Sequence, residues 1–160
     1  MSSVYVVGID PGPVPGIVGL QFVNRVLLDV DILQCSHHLA PVLLSTLLRG
    51  GGGEDLTLVQ VENFVVSRRS SRSSTPKAGQ QTRELIGSLQ QTCQGFLIPV
   101  GLQTASRVKT WASDERLETA GLLEATKGMR HAKDAARHAL FCAVAEANQP
   151  DPLSKEWRTA

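Results

Sequence analysis

The chain has 160 residues, 42% of them hydrophobic, and its 16 lysines and arginines against 15 aspartates and glutamates leave a formal charge of +1. That is enough apolar material for one domain with a core, and too little net charge for the total alone to indicate a polyanion partner. No apolar run approaches the roughly 20 residues that span a bilayer, and Met1-Ser2-Ser3 leads into a strand without a basic leader, so a cytoplasmic protein with no membrane contact is expected.

Val4 to Ile9 is a nearly continuous apolar run rich in β-branched residues, the pattern of a central strand covered on both faces. Pro11-Gly12-Pro13-Val14-Pro15-Gly16 forces a turn, Ile17 to Phe22 resumes as a strand, and a tight turn at Asn24 leads into a third over Val26 to Leu33. These three form an antiparallel meander. Pro41 suits the first turn of a helix running to about Leu48. The glycines from Gly50 to Gly53 lack the Gly-Lys-Ser/Thr ending of a phosphate loop and read as a connection.

Thr57 to Val61 is the fourth strand; Thr75-Pro76 opens a helix that Gly95 closes. Phe96 to Val100 reads as a fifth strand, Thr104 to Ala112 as a short helix, and Ser113 caps another that stops at Gly128. The last helix is expected from Ala132 to Ala147, with an alanine-rich face able to approach a sheet closely, and Asn148 and Pro150 end it. Residues 1–148 then form one domain and residues 149–160 a polar, loosely held tail. Cys35, Cys93 and Cys142 form no CxxC pair and read as small buried residues rather than a zinc site or disulfide framework. A meander followed by strands alternating with helices describes an α/β fold built on a mixed sheet.

The chemistry lies at the strand ends. Asp10 and Glu62 each fall just past the carboxyl end of an apolar strand, and parallel neighbours would bring them together in the crevice where open α/β sheets take ligands. His131 and Asp134 are spaced i, i+3 at the start of the last helix and project from one face. Three carboxylates about 4 Å apart repel by roughly 4 kcal/mol per pair at an effective dielectric near 20. A divalent cation relieves that repulsion, and hard oxygen donors favour magnesium or manganese. His138 lies on the face of His131, further along the helix, and reads as packing or as support behind the site. His37, His38, Asp29 and Asp31 read as surface groups. Arg68, Arg69, Arg72, Lys77 and Arg83 follow Glu62 with no acid among the residues from 68 to 83, a local basic segment able to track a phosphate backbone.

Gly8-Ile9-Asp10-Pro11-Gly12, Val61-Glu62-Asn63-Phe64 and His131-Ala132-Lys133-Asp134-Ala135 resemble, in order and spacing, the three signature regions of RuvC-type Holliday junction resolvases, which are ribonuclease H-like nucleases. The resemblance extends to Gly79-Gln80 and to Gln103-Thr104-Ala105-Ser106-Arg107-Val108-Lys109, and the compact size looks most like the small RuvC-like endonucleases of bacteriophages. It implies a ribonuclease H-like mixed five-stranded sheet with helices on both faces. It also implies Asp10, Glu62, His131 and Asp134 as catalytic metal ligands for two Mg2+ or Mn2+ ions, with no small-molecule cofactor.

The implied reaction is hydrolysis of phosphodiester bonds in branched DNA, leaving 5′-phosphate ends, by a homodimer in a bacterial or phage-infected cytoplasm. Phe64, Arg68, Arg69, Arg72, Lys77 and Lys109 are the expected DNA contacts. RuvC proteins usually carry an aromatic residue three positions after the motif glutamate. Here Val65 stands there and Phe64 comes one earlier. On an extended segment that shift turns the ring to the other face, which brings flaps and forks in as substrates beside four-way junctions. A non-catalytic branched-DNA-binding module and a nuclease acting on RNA–DNA hybrids are the alternatives.

Overall fold

The computed structural model describes residues 2–50, 55–63 and 76–158. The meander is β1 (Ser3–Asp10), β2 (Gly16–Val23) and β3 (Val26–Gln34). Asn24 and Arg25 both adopt positive φ, 50° and 70°, in the two-residue turn between β2 and β3. Helix α1 (Ala40–Gly50) leads to β4 (Leu56–Glu62), then α2 (Pro76–Gly95) and β5 (Val100–Gln103). Short helices α3 (Ala105–Trp111), α4 (Asp114–Thr119) and α5 (Leu122–Ala125) precede the long α6 (Arg130–Ala145).

The sheet order is β3-β2-β1-β4-β5, with β1 antiparallel to β2 and parallel to β4, and β4 parallel to β5. This is the expected mixed five-stranded α/β sheet.

Alternation along β1 sorts the core into two layers. Val4 and Val6 pack with Val18, Leu20 and the alanines of α6 on one face. Tyr5, Val7 and Ile9 pack with Ile17, α1 and α2 on the other. A period of two therefore puts Gly8 and Asp10 on the α6 face. Helix α6 comes so close that a Cβ on Gly8 would lie 2.2 Å from the Ala135 carbonyl oxygen, and one on Gly16 2.2 Å from that of His131. The small residues at both positions let the helix lie against the sheet backbone.

Three boundaries differ from the sequence pattern. The fifth strand begins at Val100, not Phe96, because residues 96–98 close α2: Leu97 takes φ 59°, its N–H donates to Gln94 and that of Ile98 to Cys93. The helix capped by Ser113, whose hydroxyl accepts from the Arg116 N–H, breaks at Gly121 (φ 74°) into α4 and α5. Helix α6 starts at Arg130, so His131 lies inside it.

The described part of the tail, residues 149–158, is docked rather than loose. Trp157 sets its ring edge-on to Phe22 with centroids 6.3 Å apart, and Arg116 donates to Asp151 through Nε at 3.1 Å and Nη2 at 3.0 Å. Burial alone would raise the Asp151 carboxyl, but Arg116 and the Leu153 N–H outweigh it and hold it below the usual range. A depressed folded pKa stabilises the fold above the unfolded value, about 3.9, and loses that contribution as pH falls through the folded one. Asp151→Asn is therefore expected to lose less stability than wild type between about pH 4 and pH 2 in denaturant titrations. Equal losses would show that the pair contributes nothing.

Cys93 and Cys142 are buried free thiols, pushed up by burial to about 11 and about 12, and Cys35 is half-buried. Among the described residues no helix is long and apolar enough to cross a membrane.

Candidate active site

The parallel register places Ile9 beside Val61, so the next residues on the two strands are Asp10 and Glu62. Both face α6, which supplies His131 and Asp134 from its first two turns. All four line one cleft of about 270 Å3, with Lys109 and Arg130 on its wall. The strand-end carboxylates and the helix pair expected from the sequence are thus brought together.

Each carboxylate has protein partners. Asp10 accepts from the Gly12 N–H through Oδ1 at 2.9 Å, and its Oδ2 lies 2.8 Å from Nδ1 of His131. Burial pushes the Asp10 carboxyl above its usual value; the hydrogen bond with His131 opposes this, and the charges of Glu62 and Asp134 add to it. Asp134 is the reverse case. Burial would raise it, but Lys109 Nζ at 2.9 Å and Arg137 Nη1 at 2.7 Å prevail and hold it below the ordinary range. Glu62 Oε2 lies 3.1 Å from Nε2 of His138.

Some of the organising residues carried no local signal. Gln34 Oε1 accepts from the N–H groups of His131 and Ala132 at 3.2 and 3.3 Å, so a strand residue caps a helix that begins without a side-chain cap of its own. His37, which reads as a surface residue, donates through Nε2 to the Gly12 carbonyl at 2.8 Å and ties down the loop after Asp10. A Cβ on Gly12 would lie 2.5 Å from the His131 ring, so that position must stay bare for the imidazole to reach Asp10. Asp31, also read as solvent-facing, accepts from the Tyr5 hydroxyl at 2.8 Å.

Of the expected DNA contacts, Lys109 is paired with Asp134 at the cleft, and Lys77 is exposed in the first turn of α2. Phe64, Arg68, Arg69 and Arg72 lie outside the described residues.

The donor set has the right chemistry for a hard divalent cation: three carboxylates and one imidazole facing one small cleft, with like charges felt at Asp10. As the side chains stand, no three His, Cys, Asp or Glu residues among those described are grouped to hold an ion. Lys109 and Arg137 take the two Asp134 oxygens, and His131 and His138 each meet one oxygen, of Asp10 and Glu62 respectively. The cleft combines convergent acids with cations at its wall, an arrangement able to take a metal and a phosphate together.

No protein-family model matches the chain, and no curated protein matches it in sequence. Solved structures do resemble it. RuvC of Thermus thermophilus in complex with a Holliday junction substrate superimposes with a TM-score of 0.62 at 18% identity, covering 89% of this chain and 96% of that one. A second structure of Thermus thermophilus RuvC gives 0.59 at 20% identity, covering 93% and 99%.

Proposed function

We propose that this chain, which has the RuvC-type, ribonuclease H-like fold, is a divalent-metal-dependent endonuclease that cleaves Holliday junctions and related branched DNA. The observation that carries the reading is the convergence of Asp10 and Glu62, from adjacent parallel strand ends, with His131 and Asp134, from α6, on one cleft. Those four residues would hold the Mg2+ or Mn2+. When bound, the metal supplies Lewis acidity and positive charge toward a phosphoryl group.

The chain's own residues do the rest. Asp10 is held by the Gly12 N–H and His131, so its carboxylate is presented in one orientation. Lys109 and Arg130 stand at the wall, where a phosphate would need its charge balanced. Arg68, Arg69, Arg72, Lys77 and Phe64 are the further DNA contacts of this proposal. A homodimer supplies the two cuts that resolving a four-way junction requires. The compact chain and its motif wording favour the phage-type subgroup.

The test is a panel of labelled four-way junctions, flaps, forks, linear duplexes and RNA–DNA hybrids with Mg2+ or Mn2+, and with EDTA. Branched DNA is expected to be cut to ligatable 5′-phosphate ends, and chelation is expected to stop the reaction. Binding without cutting under either metal would select the non-catalytic module, and cutting of the hybrid in preference to branched DNA would select the ribonuclease H reaction.

A further inference from the structure

We infer that His138 is a positioning residue for Glu62, itself oriented by Gln103 and, behind it, Glu146; the inference rests on the nuclease reading, in which Glu62 is a ligand of the cleft. His138 lies one turn beyond Asp134 on α6 and is wholly buried. Both ring nitrogens are engaged: Nε2 is 3.1 Å from Oε2 of Glu62, and Nδ1 is 3.1 Å from Oε1 of Gln103.

The direction of these bonds follows from the far end of the chain of contacts. Glu146 receives Gln60 Nε2 on one oxygen at 2.7 Å and Gln103 Nε2 on the other at 3.2 Å. Gln103 has therefore turned its amide nitrogen to Glu146, and its carbonyl oxygen is what His138 meets. A carbonyl only accepts, so Nδ1 is the donor there. The Glu62 carboxylate also only accepts, so Nε2 donates as well and the ring carries both N–H groups. The ring plane is thereby set, and Nε2 is aimed at Glu62. One carboxylate oxygen is held and the other is left for the cleft that Glu62 lines.

Register makes the network possible. Glu62 pairs with Gln103 and Gln60 with Gly101 across β4 and β5, so all three side chains face α6. Gly101 has no side chain where the Gln60 amide lies; a Cβ there would sit 2.1 Å from its oxygen. A histidine buried only for its volume needs neither contact, whereas an outer partner that fixes a ligating carboxylate needs both.

The test compares His138→Leu, His138→Gln and Gln103→Met with wild type. It reads free Mn2+ by electron paramagnetic resonance in the DNA-free protein, and separately kcat and KM on a four-way junction. His138→Leu keeps the bulk and loses the donor, and is expected to weaken Mn2+ binding about tenfold to a hundredfold and to lower kcat with KM little changed. His138→Gln places an amide nitrogen near the position of Nε2 and is expected to recover most of the affinity. Gln103→Met is expected to lose affinity in the same direction as His138→Leu.

His138→Leu or, where that variant does not fold, Gln103→Met binding Mn2+ as tightly as wild type overturns the inference alone. Wild-type protein that neither binds Mn2+ nor cleaves branched DNA overturns the nuclease reading and this inference with it.

Discussion

Asp10→Asn is expected to bind a four-way junction at least as tightly as wild type and to cleave it about a thousandfold more slowly, a loss of ~4 kcal/mol from transition-state stabilisation. The substitution is nearly isosteric, and the surroundings accommodate it. The Asn oxygen can still accept from the Gly12 N–H that now meets Oδ1 at 2.9 Å, and the new amide can donate to His131 Nδ1 in its neutral tautomer. What disappears is the charge.

Asp10 is the carboxylate that feels both Glu62 and Asp134, so it is the natural bridge between the two sides of the cleft. Removing one negative charge from a buried acidic cluster lowers its repulsion for DNA phosphates, and binding is expected to hold or tighten. The melting temperature is expected to stay level or rise, because burial disfavours the charged form. Gel-shift titration, single-turnover cleavage and thermal melting on the same preparation separate these effects. Wild-type cleavage by the Asn variant would remove Asp10 from the chemistry.

Gly8→Ala is expected to destabilise the protein by about 3 kcal/mol, at the upper end of what overpacking usually costs. In a domain of this size that corresponds to a fall of roughly 6–12 °C in melting temperature. The new methyl would lie 2.2 Å from the Ala135 carbonyl oxygen, 2.3 Å from the Ala139 nitrogen and 2.9 Å from its Cα. All three are backbone atoms of α6, so no rotamer change relieves the clash and the whole helix must lift from β1. Since α6 carries His131, Asp134 and His138, activity is expected to fall with stability.

Gly87→Ala is the matched control. A methyl added at that position on α2 would meet no other part of the described chain within 4 Å, and a stabilisation of about 0.4–1 kcal/mol is expected there. A Gly8→Ala protein that unfolds at the wild-type denaturant midpoint would show that α6 does not rest directly on the strand.

Local pattern was sufficient for the meander, for the strand ending at Asp10, for the strand ending at Glu62, and for the i, i+3 pair on the last helix. Those features are written in short-range periodicity and turn chemistry, which a single segment carries by itself. The closing turn of α2 was not legible, because a leucine at Leu97 takes the left-handed conformation usually given to glycine. Gly121 divides α4 from α5 for the opposite reason: its positive φ is ordinary for glycine, but nothing in the helical pattern around it demands a break.

Residue identity along the chain establishes which groups stand at the strand ends and the helix start, and hence that acids and an imidazole are available for a divalent metal. How those groups are partnered is a property of the folded chain. His131 meets Asp10 across 121 positions of chain, Gln34 caps α6 across 97, and His138 reaches Glu62 across 76. A hydrogen bond between residues so far apart depends on strand register and on how closely a helix seats against the sheet. Here β1–β4 pairing and the bare backbone at Gly8 and Gly16 set both; the alanine-rich face of α6 permits the close seating, but no local pattern says which strand it meets.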